Sequence, residues 1–300
     1  MNSRLPAYDA LLRWLHGVTG IMLLLSLHGY AQAPDGGVAP SKDKDEEIFL
    51  RVMQSAAKKN LAARPIAAVV AAVGLSFQGT PYVAHTLEMP GEECLVVNLR
   101  ELDCTTFMEN ALVLARCVKM GKRNFEDYKK GLQFVRYRGG VLNGYSSRLH
   151  YFTDWAADNE VKKVVRDISK DLGGKPAGKT INFMSTHPTS YRQLSTPEAV
   201  KEIIGWEEAL TKRGFWYIPR SRLGRILGKL RDGDIIGITT SKEGLDVSHT
   251  GLIVVQDGIR KFLHAPLSGG NVQLTEGSFA KYVEGNASMT GIVVVRPREP

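Results

Sequence analysis

Apolar residues recur at helical spacing in the first half of the chain and in strand-like runs near its end, and this change of period sets the expected architecture. From Asp45, the positions Ile48, Val52 and Ala56 share one face of an amphipathic helix. Arg64-Pro65 opens a second helical stretch, Ile66 to Phe77, with Pro where its missing N–H costs little, and Gly79-Thr80-Pro81 closes it. Glu93 to Leu99 alternates weakly and predicts a short strand. Asp103 then reads as the N-cap of a helix whose buried stripe is Phe107, Ala111, Leu112, Leu114 and Ala115, stopping near Gly121. Residues 122 to 230 form a long mixed region with one amphipathic segment, Tyr128, Leu132 and Val135, and an aromatic cluster from Tyr145 to Trp155. Beyond it, Asp234 to Thr240, Thr250 to Val255, Lys261 to Leu263 and Gly291 to Val295 predict strands rich in Val and Ile, split by turns such as Asp257-Gly258. Helices first and an antiparallel meander after give an α+β order rather than βαβ alternation.

One apolar run belongs to neither pattern. Arg4 and Arg13 precede the stretch Val18 to Leu27, and Ala31-Gln32-Ala33 offers small residues at a cleavage site. These predict a signal peptide over residues 1–33 and an exported protein, periplasmic or extracellular. The run is shorter than the roughly 20 residues a spanning helix needs, so the expected membrane contact is through this segment alone. Hydrophobic residues at 43% and charged residues at 23% are ordinary for a globular chain. The formal charge of +8 suits anionic cell-wall polymers. Lys and Arg are scattered rather than striped among aromatics, which argues against nucleic acid.

Cys94, Cys104 and Cys117 make an odd number, unusual for an exported protein. Cys94 and Cys117 read as small buried apolar residues, with a disulfide between them, leaving Cys104 free, as the alternative. Cys104 stands at a predicted helix start, where free N–H groups and the dipole favour a thiolate. His249 begins one strand and His264 ends another, joined by the turn at Asp257-Gly258, so the two are expected to meet. A Cys-His-His zinc set is the rival chemistry, but CxxC and HExxH spacings are missing, and no metal or other cofactor is expected. His150 and His187 are read as surface or core residues.

The order of these pieces resembles the NlpC-type cell-wall cysteine peptidases, which have a circularly permuted papain-like fold. Gly79-Thr80-Pro81-Tyr82, Asp103-Cys104, Asp232-Gly233-Asp234-Ile235, Ser248-His249-Thr250-Gly251 and Phe262-Leu263-His264-Ala265 match that family's segments in family order. The resemblance implies Cys104 as nucleophile, His249 as base and His264 as the orienting third member. It places Tyr82 in the oxyanion region, beside Asp103 and Ser248.

Two departures narrow the resemblance. Asp103-Cys104-Thr105-Thr106 replaces the usual Asp-Cys-Ser-Gly, and the stretch between the Cys helix and the Gly-Asp strand is far longer than in common endopeptidases. With Thr86-Leu87-Glu88 and Arg148-Leu149-His150-Tyr151, these features resemble a branch associated with N-acetylmuramoyl-L-alanine amidase activity on muropeptides. The expected organisation is a catalytic domain over 34–300 with a specificity insert at about 122–230, working as a monomer. The insert offers Arg138, Tyr145, Arg148, Tyr151 and Trp155 to a charged peptide and a sugar, with core packing the competing role for Tyr151 and Trp155. A γ-D-glutamyl-diaminopimelate endopeptidase of the same fold and a non-catalytic wall-binding module are the alternatives.

Overall fold

The structure, a computed structural model, describes residues 42–300. The expected signal peptide therefore lies outside the described residues. The first amphipathic helix is α1 (Lys42–Lys58), which buries Phe49, Val52 and Ala56. The second, α2 (Ile66–Leu75), is apolar almost all round and packs against α3 (Cys104–Met120). Helix α3 is the centre of the core: Phe107, Ala111, Leu112, Leu114 and Ala115 are all fully buried. It ends at Gly121, whose φ of 66° costs glycine nothing. Next come α4 (Phe125–Arg136), burying Tyr128, Leu132 and Val135, and α5 (Phe152–Val161), whose first turn buries Phe152 and Trp155.

The remaining elements build and flank the sheet. In chain order they are β1 (Val165–Asp167), β2 (Lys175–Pro176), the short α6 (Phe183–Thr186), α7 (Pro197–Arg213), β3 (Trp216–Pro219), α8 (Leu223–Ile226), β4 (Ile235–Thr240), β5 (Val247–Gln256), β6 (Ile259–His264), β7 (Gln273–Leu274), α9 (Phe279–Glu284) and β8 (Met289–Pro297). The sheet order is β2-β3-β8-β4-β5-β6-β7, with β1 also pairing β8, and every pairing is antiparallel. The expected mixed α+β order with an antiparallel sheet is thus what the chain adopts. Ile235, Val293 and Val295 face the large helical core, whereas Ile236, Ile238, Ile292 and Val294 face a second cluster with Leu223, Ile226, Phe279 and Val283. Both faces are covered, which is why every residue of β4 is buried.

The hairpin of β5 and β6 turns at Asp257-Gly258, both with positive φ, 51° and 77°, as a two-residue turn that follows strand twist requires. Its register pairs Leu252 with Leu263. Extending that register sets Gly251 opposite His264, with His249 two residues further on the same face. Gly251 has no room for a side chain: a Cβ there would lie 2.6 Å from the Leu263 carbonyl oxygen and 2.7 Å from Phe262 Cζ.

Two expectations need correction. Glu93 to Leu99 is irregular rather than a strand, because side chains satisfy its backbone. The Leu99 N–H donates to Asp45 Oδ1 at 2.8 Å, and Arg136 Nη1 donates to the Val96 carbonyl at 2.6 Å. Cys117 is buried as expected, but Cys94 is exposed, and both are free thiols.

Candidate active site

Cys104 is the first residue of α3, and three neighbours fix its place. The Asp103 carboxylate accepts the Thr106 N–H at 2.7 Å, while the Thr106 hydroxyl accepts the Asp103 N–H at 2.9 Å. This reciprocal cap uses the Asp103 carboxylate on backbone groups, as its sequence position suggested. From the sheet, the Thr250 hydroxyl donates to the Cys104 carbonyl at 2.8 Å. That bond ties the helix start to the strand that carries His249. Cys104 and His249 line the same small hollow.

His249 and His264 come together: His249 Nε2 lies 2.7 Å from His264 Nδ1. His264 is fully buried between Phe262, at 4.8 Å between ring centroids, and Tyr282, at 4.9 Å. It cannot swing away. Burial lowers the His249 pKa to about 4, and burial with the neighbouring His249 lowers His264 to about 3. Both rings are therefore neutral at pH 7, so one donates to the other. If His249 Nε2 is the donor, its Nδ1 is left as a bare lone pair.

The thiol environment differs from expectation. Burial, and after it the Asp103 carboxylate, push the Cys104 thiol up, against the pull of the Thr250 N–H and hydroxyl and the Thr105 side chain. The helix start alone predicts a lowered value; desolvation outweighs it. The resting pair these trends favour is thiol plus neutral imidazole.

Tyr82 borders a second, larger hollow beside Cys104, about 370 Å³ in volume. Burial, Cys104 and Asp103 raise its phenol to about 12, so it stays a hydroxyl donor. Ser248 is exposed on the rim of the small hollow. Arg148 reaches the larger hollow but is buried and engaged. It donates to Glu88 Oε1 at 2.7 Å and to the Leu87 carbonyl at 3.2 Å, lies 3.3 Å from Glu93 Oε1, and stacks on Tyr145. Its carboxylate partners are the protein's own. Trp155 backs the small hollow from the core. Tyr151 lines neither hollow: its hydroxyl donates to Glu207 at 2.6 Å and accepts the Met184 N–H at 2.9 Å. For Tyr151 the packing role is the one that holds. Arg138 likewise turns elsewhere, pairing with Asp154 at 2.6 Å and covering the Trp206 ring.

Three site residues escape a reading of the sequence. Thr250 sits inside the Ser-His-Thr-Gly segment but carries no local sign of its bond to Cys104. Tyr282 reaches His264 from α9, and Cys104 is near enough to help raise its phenol after burial. His150, expected at the surface or in the core, borders both hollows. Among the described residues, no group of three His, Cys, Asp or Glu side chains is arranged to hold a metal.

Comparison with known proteins bears on this cleft. A family model described as N-acetylmuramoyl-L-alanine amidase-like matches residues 72–292. An N-acetylmuramoyl-L-alanine amidase from Bacteroides uniformis has a similar solved structure, with TM-score 0.74 and 33% identity over 78% of this chain and 99% of its own. A Bacteroides fragilis protein, described only provisionally as a xylanase, aligns at TM-score 0.72 and 37% identity over 75% of this chain and 99% of its own. A Legionella pneumophila protein shares the fold at TM-score 0.65 and 18% identity, over 86% and 96% of the two chains. No curated protein sequence matches this chain.

Proposed function

Because the chain belongs to the N-acetylmuramoyl-L-alanine amidase-like family, a group of cell-wall amidases, we propose that it is a cysteine hydrolase cutting the amide between muramic acid and L-alanine in muropeptides. The observation that carries this reading is the shared hollow of Cys104 and His249, with His264 2.7 Å from the base. We read the nucleophile helix packed on the base-bearing strand as the NlpC-type, circularly permuted papain-like arrangement. The protein acts outside the cytoplasm, where peptidoglycan lies.

As the Cys104 Sγ attacks the lactyl carbonyl carbon, its proton passes to His249 Nδ1. His249 Nε2–H donates to His264 Nδ1 throughout, which fixes the tautomer and steadies the imidazolium. The Tyr82 hydroxyl and the N–H groups at the start of α3 serve the oxyanion. When the tetrahedral adduct collapses, the C–N bond breaks and His249 returns the proton to the departing alanine nitrogen. Water, deprotonated by His249, then splits the thioester to release the lactyl carboxylic acid and restore the thiol. The nearby carboxylates do not suit glycoside hydrolysis, which needs two free ones across a sugar. Asp103 caps α3, Glu109 pairs with Arg136 at 2.8 Å, and Glu88 pairs with Arg148.

The test is mass analysis of products from a defined N-acetylmuramoyl tripeptide. Free sugar plus intact tripeptide is expected, and Cys104→Ala is expected to lower turnover on the order of 10⁴-fold or more with an unchanged circular dichroism spectrum. A sugar still carrying L-Ala-D-Glu points instead to the γ-D-glutamyl endopeptidase, and full turnover by Cys104→Ala removes the cysteine mechanism.

A further inference from the structure

Positive charge gathers at one end of the sheet, and nothing in the chemistry above uses it. Residues 220–231 carry Arg220, Arg222, Arg225, Lys229 and Arg231, with no Asp or Glu among them. The apolar members of this segment, Leu223, Ile226 and Leu230, are buried in the second core cluster. Arg225, Lys229 and Arg231 are therefore turned outwards and exposed. Arg260 joins them from β6, its Nη2 donating to the Gly228 carbonyl at 3.1 Å. Arg296 joins them from β8, its Nη2 donating to the Lys229 carbonyl at 3.3 Å. With Arg166 and Arg298, Arg296 also lines a hollow of about 480 Å³.

The carboxylates at this end do not neutralise the face. Asp234 is taken by Arg296 at 2.7 Å and by the Arg231 N–H at 2.9 Å. Asp232 accepts the Val255 N–H at 2.7 Å, and Asp171 pairs with Arg166. Among the described residues, none forms an ion pair with Arg225, Lys229, Arg231 or Arg260. Like charges gathered in this way repel one another and gain by meeting an extended anion.

Register fixes where the face lies. Ile259 pairs with Gln256 beside the β5-β6 turn, whereas His249 and His264 sit at the other ends of these strands. Seven residues separate His249 from Gln256 along β5, a distance of roughly 23 Å. An anion bound here leaves the cleft open. Ile259, between Gly258 and Arg260, is 47% exposed at the tip. A dissolved polyanion would meet the charges but offer that side chain nothing. A bilayer offers phosphates to the guanidinium groups and acyl chains to the isoleucine. We propose that this end of the sheet docks on an anionic phospholipid surface, with Arg225, Lys229, Arg231 and Arg260 on the headgroups and Ile259 below them. It is a membrane contact beyond the one expected of residues 1–33, and it is independent of which bond the cleft cuts.

The test is co-sedimentation of the full chain with vesicles of phosphatidylcholine alone or with about one-third phosphatidylglycerol, at about 0.1 M salt. The wild type is expected to favour the anionic vesicles by roughly a hundredfold or more. Combining Arg225→Gln, Lys229→Gln and Arg231→Gln should weaken that binding by roughly a hundredfold, since each basic residue at such a surface is worth about fivefold. The same loss of charge at Arg51, Lys58 and Lys59, which are exposed on or just after α1, should change it by less than about threefold. These substituted side chains hold no bond within the described chain, so the fold is expected to survive, and the N-terminal segment is common to every variant. Ile259→Ser should weaken vesicle binding by about fivefold and leave binding of soluble polyphosphate unchanged. Equal binding to the two vesicle types overturns the proposal, as does an equal loss in both triple variants. Vesicle binding that is indifferent to Ile259→Ser, with polyphosphate bound more tightly than vesicles, makes the face a site for a dissolved polyanion and overturns it too.

Discussion

The hairpin of β5 and β6 and the segment from Leu87 to Tyr151 each hold charged or titratable side chains near Cys104, yet they hold them in opposite ways. In the hairpin, His249 and His264 are set by strand register and need only each other. In the wall, Arg148 is held by Glu88, Glu93, the Leu87 carbonyl and Tyr145, and Arg136 by Glu109 and the Val96 carbonyl. With His249 Nε2 as donor, the first arrangement leaves a proton acceptor spare. The second pairs its buried arginines, Arg136 and Arg148, with the protein's own carboxylates. In the proposed mechanism chemistry falls to the sparse region and shape to the crowded one.

The sharpest way to break this contrast is to remove the acceptor beside the proposed base. His264→Phe keeps the ring's volume between Phe262 and Tyr282 but takes no hydrogen bond from His249. It is expected to lower kcat/KM by about 10² to 10⁴ through loss of the tautomer, with His264→Asn restoring part of the rate. An unchanged rate in steady-state assays would mean the two rings are merely packed.

Next in size is the wall. Arg136 and Glu109 are 3% and 2% exposed, so Arg136→Met strands a buried carboxylate. Urea unfolding should show a loss of about 3–5 kcal/mol. The double variant Arg136→Met with Glu109→Leu should recover much of that loss, as expected where the pair serves shape rather than catalysis.

The acid response separates the regions further. His264 has a folded pKa of about 3 against an ordinary 6.5, so between these values the unfolded chain binds the extra proton. Stability from this group is full above pH 6.5 and drains away as pH falls towards 3. Glu93 and Asp246, raised by burial, act with the opposite sign. The clean readout is thus a difference: from pH 7 to pH 5 the wild type should lose about 2 kcal/mol more than His264→Phe in urea titrations. Equal slopes would mean His264 is charged in the folded state.

The smallest effect is expected at Thr250→Val. It removes the hydroxyl bond to the Cys104 carbonyl and should cost about 1 kcal/mol in thermal unfolding. A fall in kcat well beyond that stability loss would give the bond a role in aiming the sulfur.

How much of this could be read beforehand follows the same division. The α3 cap, its buried stripe, the four long strands and the meeting of His249 with His264 all rest on short-range signals: a capping side chain, a 3.6 or 2 period, a two-residue turn. The wall rests on pairs 16 to 61 positions apart, such as Arg138 with Asp154 and Arg148 with the Leu87 carbonyl, which leave no local trace. Glu93 to Leu99 alternates as a strand does, but its backbone partners are side chains. Helix α7 carries a local start signal in Thr196-Pro197, with the Thr hydroxyl accepting the Ala199 N–H at 3.2 Å. His150 gave no warning, since nothing in Arg-Leu-His-Tyr shows that a carbonyl five residues earlier will choose its tautomer.

Gly251 limits how this relay can be rebuilt. With Phe262 and the Leu263 carbonyl closing the space above it, no carboxylate or amide can be supplied to the base from that position on the middle strand. Redesign of the third member must start from position 264 on the neighbouring strand. Libraries that randomise the hairpin will lose fewer folded clones if 251 is left as glycine.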